Sequence, residues 1–325
     1  MRIRNFTKPL NASRIFYSYL FSVITRNSII SGMPVSAGIE ISAHCNLMCP
    51  ECTSGSGSMT RQKGFMEPEL FARIVEELEP WLYNINLYFQ GEPMLHPRFF
   101  DFLEKSKGIK VTVSTNGHFL SPANSEKLAR SELDRIIVSI DGMDNETYSL
   151  YRQGGDLEQV INGIRNISKA IEISKSSLKL EIQFLVNRYN EDQISSVRRF
   201  SKENKAILRL KSMQIMNEEH IDDWMPANEK FRRYEKTDSG YTIKSTLNNS
   251  CFRLWYNPVI TWDGKVVPCC FDKNADNVMG DLTKCSFRTI WNGNLYRSFR
   301  SSILSQRKSI EICRNCTSGL KGIKY

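Results

Sequence analysis

The sequence has no apolar run long enough to cross a bilayer. Its best candidate, Ile15 to Thr25, is ended by Arg26, well short of the roughly 20 residues that a spanning helix needs. Arg2, Arg4, Lys8 and Arg14 give this stretch the outline of a secretion signal, but no small-residue cleavage site follows. An amphipathic helix packed on the body is therefore expected, with membrane-surface contact through Phe16, Tyr17, Tyr19, Leu20 and Phe21 as the alternative. Nine cysteines in 325 residues are too sparse for a disulfide-built secreted scaffold. Most lie in short-spaced groups that suit metal, which points to a reducing cytoplasm. Ser54-Gly55-Ser56-Gly57-Ser58 lacks the Gly-Lys-Ser/Thr that completes a phosphate-binding loop, so it reads as a flexible flap. Acidic residues are scarce at both ends: residues 1–39 carry five Lys/Arg and no Asp or Glu, and residues 284–325 carry nine against Glu311 alone. Such ends suit an acidic peptide, a phosphorylated substrate or nucleic acid, or form an ordinary solvated surface.

What is present centres on Cys45-Asn46-Leu47-Met48-Cys49-Pro50-Glu51-Cys52. Three thiols at CxxxCxxC spacing, on a loop after an apolar run, can close around one iron–sulfur cube and leave its fourth iron without a protein ligand. An open iron can bind a substrate or cofactor, whereas a fully ligated cube carries electrons or holds the fold. Zinc is the competing reading, but zinc ribbons pair CxxC with a second CxxC, and the first interval here is one residue longer.

The chain around the triplet alternates β-rich and helical runs. Strands are expected at Ile39–Ser42, Ile85–Phe89, Lys110–Ser114, Arg135–Ile140, Leu180–Val186 and Leu208–Ile215. Helices are expected at Glu67–Trp81, Arg98–Lys107, Pro122–Arg130, Leu157–Ser174 and Glu191–Glu203, with Asn190 as an N-cap. Six such repeats imply an α/β fold, a parallel sheet backed by helices, with its chemistry at the carboxyl ends of the strands. Residues 217–250 read as a charged linker with one short helix near Asn228–Lys236. Beyond it come Cys251, then Gly264 and Cys269 at C-x12-G-x4-C spacing, and finally Cys313-Arg314-Asn315-Cys316. Ile260 to Cys269 reads as two strands joined by the Asp263-Gly264 turn.

The triplet and the strand order together resemble the radical S-adenosylmethionine (SAM) enzymes, whose core is a partial (β/α)6 TIM-like barrel. The C-terminal cysteines resemble the SPASM domain in its shortened "twitch" form, a small β-hairpin/α iron–sulfur domain with one auxiliary 4Fe-4S cluster. The expected organisation is a basic helical extension (1–35), the radical SAM core (36–216), the linker (217–250) and the auxiliary domain (251–325).

The resemblance implies a SAM-binding 4Fe-4S cluster on Cys45, Cys49 and Cys52, and an auxiliary 4Fe-4S cluster on Cys251, Cys269, Cys313 and Cys316, where structural zinc is the rival. Gln90-Gly91-Glu92-Pro93 is similar to the family's Gly-Gly-Glu-Pro motif, which assigns Gly91, Glu92 and Pro93 to the SAM methionine. Ser114 and Asn116, Ser139 and Asp141, and Arg152 stand where the family approaches the SAM ribose and carboxylate, with Gln183 and Asn187 as weaker candidates. Glu51 departs from the pattern, since the family usually has an aromatic there, and this puts stacking against adenine in doubt.

The implied chemistry is reductive cleavage of SAM to a 5′-deoxyadenosyl radical and hydrogen abstraction from a substrate carbon. A net oxidation of a small molecule such as an amino-sugar alcohol is expected, fed by a flavodoxin- or ferredoxin-type electron donor. Modification of a ribosomally made peptide is the alternative, and a non-catalytic zinc or iron–sulfur protein binding nucleic acid is the alternative of another class. Glu181, His96 and Asp223 are the acid–base candidates. Cys270 and Cys285 are left over, either as small buried residues or as a hydrogen-atom donor, and Cys270 competes with Cys269 for the ligand role.

Overall fold

The alternation of β-rich and helical runs resolves, in a computed structural model, into one strand–helix repeat after another. Residues 4–238, 240–318 and 320 are described; residues 1–3, 239, 319 and 321–325, and with them Arg2, lie outside the described residues. A helix α1 (Arg4–Thr25) leads into β1 (Ser36–Ile39), α2 (Pro68–Leu78), β2 (Asn84–Asn86), α3 (Phe99–Lys105), β3 (Lys110–Thr115), α4 (Pro122–Ala129) and β4 (Leu133–Ser139). Then follow α5 (Asn145–Tyr151), α6 (Leu157–Ser174), β5 (Lys179–Val186), α7 (Ile194–Glu203) and β6 (Ile207–Ser212). The remainder comprises β7 (Tyr234–Thr237), β8 (Gly240–Ile243), β9 (Val259–Ile260), β10 (Lys265–Val267) and β11 (Gly280–Asp281), with short helices α8 (Ile221–Trp224), α9 (Arg253–Tyr256), α10 (Phe287–Trp291), α11 (Asn294–Gln306) and α12 (Glu311–Arg314).

Strands β1 to β6 lie side by side in chain order, every neighbouring pair parallel. Each crossover carries a helix whose apolar stripe covers the sheet, as a right-handed β–α–β unit requires. Phe71, Ile74 and Leu78 of α2, Phe102 and Leu103 of α3, and Val160, Ile164 and Ile167 of α6 are buried against Ile85, Val111, Val113, Ile136 and Ile182 of the strands. Asp156 caps α6 by accepting the Gln159 N–H, and Ser121 does the same for α4 through Asn124. This is the partial-barrel α/β architecture expected.

The sheet has nine strands rather than six. On its far edge β1 pairs in parallel with β9, Gly38 opposite Val259 and Ile39 opposite Ile260, and β10 and β11 follow antiparallel. The β9–β10 hairpin turns at Asp263-Gly264, with Gly264 at φ +84°. No helix among the described residues is long and apolar enough to cross a membrane.

Four local expectations are corrected. The first strand runs Ser36–Ile39 and not Ile39–Ser42, because the ladder with β9 ends at the Glu40 N–H, which donates to Ile260 O (2.9 Å), and beyond it the backbone turns to the loop after the cysteines, Ala43 N–H donating to Gly64 O (3.0 Å). Residues 228–236 form no helix beyond a single turn at Glu229–Phe231; Tyr234 begins a hairpin strand instead, paired with β8. Asn190 caps nothing with its side chain. Fully buried, it donates to the carbonyls of Asp141 (3.0 Å) and Leu185 (2.8 Å) and accepts the Asn187 N–H (2.8 Å). The Ser54–Ser58 loop is no free flap at its start, since buried Ser54 accepts the Gly91 N–H (2.9 Å) and Lys63 clamps the Ser54 carbonyl (2.8 Å). Ser56 to Ser58 alone are exposed.

Candidate active site

The cysteine loop leaves the carboxyl end of β1 and is fastened to the ends of the next three strands. Gly91, at φ +72°, lies so close that a Cβ there would stand 2.6 Å from His44 O. Glu92 N–H donates to the same carbonyl at 2.7 Å. The Glu92 carboxylate is buried and accepts the N–H groups of Met94 (3.0 Å) and Asn116 (2.7 Å), joining the ends of β2 and β3. Burial pushes its pKa up to about 7, against the lowering effect of those two N–H donors. Asn116 then reaches the loop, its Nδ2 donating to Asn46 Oδ1 (2.8 Å) and lying 4.0 Å from Cys45 Sγ. At the end of β4, buried Asp141 accepts Arg152 Nε and the Leu185 N–H, both at 2.7 Å, and Arg152 Nη1 lies 3.9 Å from Cys49 Sγ. The structure thus brings Gly91, Glu92, Pro93, Asn116, Asp141 and Arg152 around the triplet. Ser114 and Ser139 lie on the same strands, half-buried and buried. Gln183 accepts from Lys211, and Asn187 turns back to the Tyr189 N–H (2.9 Å).

Glu51, which stands where an aromatic is usual, has a role that sequence reasoning missed. It is buried and accepts the Met216 N–H (2.5 Å) and His220 Nδ1 (2.6 Å), tying the cysteine loop to the segment after β6. His220 is raised above its ordinary pKa by that hydrogen bond.

The second cysteine set lines a cavity of about 550 Å³: Cys251, Cys269, Cys313 and Cys316, together with Lys211, Arg253 and Arg307. Arg307 Nη2 lies 3.7 Å from Cys316 Sγ, while its buried Nε has no partner. Near the first set, buried Thr53 Oγ1 likewise has none. Such orphaned polar atoms fit additional polar groups in both places. Among the described residues no three Cys, His, Asp or Glu side chains converge closely enough to hold a single metal ion. Burial raises the pKa of Cys45, Cys251 and Cys269, and pushes Cys49 and Cys313 up to about 11. Those thiols stay protonated until a metal displaces the proton.

Between the two sets lies a stretch rich in cations. Lys211 Nζ donates to Gln183 Oε1 (2.5 Å), Arg253 Nη1 to Cys270 Sγ (3.5 Å), and Lys273 Nζ to Gln214 Oε1 (3.1 Å). Tyr88 stands among them, its phenol pushed up to about 12 by burial and by the neighbouring Cys270 and Glu181. Glu181 is already committed to Arg135 (2.7 Å) and Arg209 (3.6 Å). His96 has both ring nitrogens on backbone, Met66 O and Arg98 N–H at 3.0 Å each, and Asp223 is exposed, so neither joins this chamber. Cys270 is half-buried here, while Cys269 faces the cavity of the second set. Cys285 is exposed beside α2 on the outer layer, which removes it as a donor to the chamber.

Comparison with known proteins agrees with this arrangement. Residues 39–181 match the Radical SAM superfamily and residues 251–317 an iron–sulfur cluster-binding domain, SPASM. A probable GTP 3′,8-cyclase of Methanocaldococcus jannaschii is 28% identical over 77% of this chain and 89% of its own. The mycofactocin maturase MftC of Mycobacterium ulcerans is 26% identical over 87% of this chain and 80% of its own. Among solved structures, BtrN in complex with AdoMet and 2-DOIA superposes with a TM-score of 0.55 at 20% identity, covering 91% of this chain and 98% of that one. Streptococcus suis SuiB bound to S-adenosylmethionine gives 0.64 at 16%, covering 93% and 76%. The two matched segments take in both cysteine sets and strands β2 to β4, and on that footing the chain belongs to the radical SAM superfamily, with SAM and iron–sulfur clusters as its cofactors and a C-terminal SPASM domain.

Proposed function

We propose that the protein oxidises a small molecule by radical chemistry in the chamber between its two cysteine sets, with Cys45, Cys49 and Cys52 holding the SAM-binding cluster and Cys251, Cys269, Cys313 and Cys316 the auxiliary one. When bound, these groups supply one-electron cleavage of SAM, a 5′-deoxyadenosyl radical that takes hydrogen from a substrate carbon, and a second centre that accepts the remaining electron. The chain supplies position and charge. Glu92 and Asn116 fix the cysteine loop on the strand ends, and Arg152, held by Asp141, offers positive charge beside Cys49. Lys211, Arg253 and Lys273 orient an acceptor-rich substrate across the chamber, Tyr88 donates its O–H there, and Lys211 or Lys273, each lowered in pKa by burial, takes the proton that the oxidation releases.

The observation that carries this reading is a set of three thiols and a set of four, the latter lining a cavity with Lys211 and Arg253, with Lys273 within electrostatic reach of both Cys52 of the first set and Cys270 beside the second. A peptide substrate is the second reading. It is favoured by an open groove of about 630 Å³ between β8, Lys273 and α12, and by the relative named as a maturase.

Anaerobically reconstituted protein, given SAM and dithionite, is expected to release 5′-deoxyadenosine and to contain two clusters' worth of iron and sulfide. Zinc in place of iron, or no nucleoside released, overturns the proposal. Replacing Cys313 and Cys316 by Ala separates the steps: nucleoside release persists while substrate oxidation is lost.

A further inference from the structure

Helix α1 carries apolar residues on its outer side as well as its inner one. The side turned to the protein carries Asn11, Ser18 and Ser22 with Ile15, all buried, and Tyr19 and Val23 packed against the core beside them. The polar residues of this side make the attachment by hydrogen bonds. Asn11 both donates to Met33 O and accepts the Met33 N–H at 2.8 Å, and Ser22 Oγ does the same with Ile29 at 2.9 Å. The side turned away presents Leu10, Phe16, Tyr17, Leu20, Phe21 and Ile24, whose exposures run from 41% at Leu20 to 68% at Ile24. At about 100° per residue these six fall on the half of the helix opposite Asn11, Ile15, Ser18 and Ser22. A surface helix that served only to pack would be polar on its outer side. Phe252, itself partly exposed, extends the patch edge-on to Phe16 at 6.3 Å.

An uncovered apolar face of this size marks a contact surface, and the charge around it selects the partner. Residues 1–39 hold five Lys/Arg and no Asp or Glu, and Arg14 lies exposed on α1 itself. Two copies meeting through this face would bring like charges together. We infer that α1 docks the enzyme on an anionic lipid surface, lying in the headgroup plane with Leu10, Tyr17, Leu20, Phe21 and Ile24 in the acyl boundary and Arg14 at the phosphates. Aromatic residues on the apolar side and cations beside them are the composition that binds such an interface without crossing it. The inference is independent of the reaction catalysed.

The test is co-sedimentation of the full-length, cluster-loaded protein with vesicles of phosphatidylglycerol and, separately, of phosphatidylcholine. Binding to phosphatidylglycerol vesicles is expected, weakened at least tenfold by raised salt and at least tenfold by L20S/F21S/I24S. Because all three side chains are exposed, that variant keeps its iron content and unfolding midpoint. No binding to phosphatidylglycerol at low salt, equal binding to both vesicles, or undiminished binding of the variant overturns the inference. So does a concentration-dependent dimer that the same substitutions abolish, which would assign the face to a second copy of the chain.

Discussion

Glu40 is where a single change should be felt across the whole molecule. Its carboxylate, fully buried just after β1, takes Arg61 Nη1 and Nη2 at 2.8 and 2.5 Å and the N–H groups of Gln90 and Trp262 at 3.2 Å each. It therefore joins the loop after the cysteines, the end of β2 and the auxiliary hairpin at one point. In Glu40→Gln one amide oxygen remains as acceptor, while the NH₂ group faces a guanidinium that accepts nothing. The uncompensated, nearly buried Arg61 should cost about 3 kcal/mol, at the low end for a broken buried pair because one hydrogen bond survives. With a urea slope near 3 kcal/mol/M, that moves the unfolding midpoint down by about 1 M. Removing both charges in E40Q/R61M should bring the protein back to within about 1 kcal/mol of the parent, since a buried pair repays little more than its own desolvation. Anaerobic urea unfolding followed by tryptophan fluorescence measures each quantity. A Glu40→Gln midpoint unchanged within error, or a double variant less stable than the single one, refutes the reasoning.

The other predictions concern the site. Replacing any of Cys45, Cys49 or Cys52 by Ala should remove about half of the iron and reduce 5′-deoxyadenosine release to background, read by iron analysis and chromatography. Glu92, pushed up to about 7 by burial, favours the folded state fully below pH about 4.5 and loses that contribution as pH rises through 7, a swing of about 3 kcal/mol. Parent and Glu92→Gln stabilities measured across that window should therefore converge or cross rather than run parallel. Gly91→Ala places a Cβ 2.6 Å from His44 O at φ +72°, and should displace the cysteine loop and lower cluster retention severalfold. Glu51→Ala orphans the Met216 N–H at a cost of about 1–3 kcal/mol. It should quicken proteolysis near residues 216–225 and lower the His220 pKa seen by NMR, with Glu51→Gln restoring part of the protection.

Much of the scaffold was legible because local pattern and global fold agree. The span of α6, Leu157–Ser174, follows from its three-to-four apolar spacing, and the Asp263-Gly264 turn announced its hairpin. Both cysteine sets were legible from spacing. What escaped were relations between distant residues. The limits of β1 depend on partners beyond Pro258, so its own four residues could not reveal them. Glu51 looked like a defect in a motif until Met216 and His220 were found against it. Tyr88, Lys211 and Lys273 are unremarkable in sequence, and only the curvature of the sheet sets them around Cys270. The choice of Cys269 over Cys270 was open in the sequence, and the structure turns the former to the cavity and the latter toward Arg253.

The pairing of β9 with β1 carries a lesson about how this chain is made. A ribosome delivers the six parallel strands first, while the outer flank of Ser36–Ile39 stays a bare row of amide groups until Val259 arrives about 220 residues later, a closure that is late and slow by its separation along the chain. During that interval the flank is a template for any passing extended segment. The auxiliary domain thereby doubles as a stopper, and a gene shortened before residue 257 should give a sticky, aggregating product even though every residue of the first cysteine loop is intact.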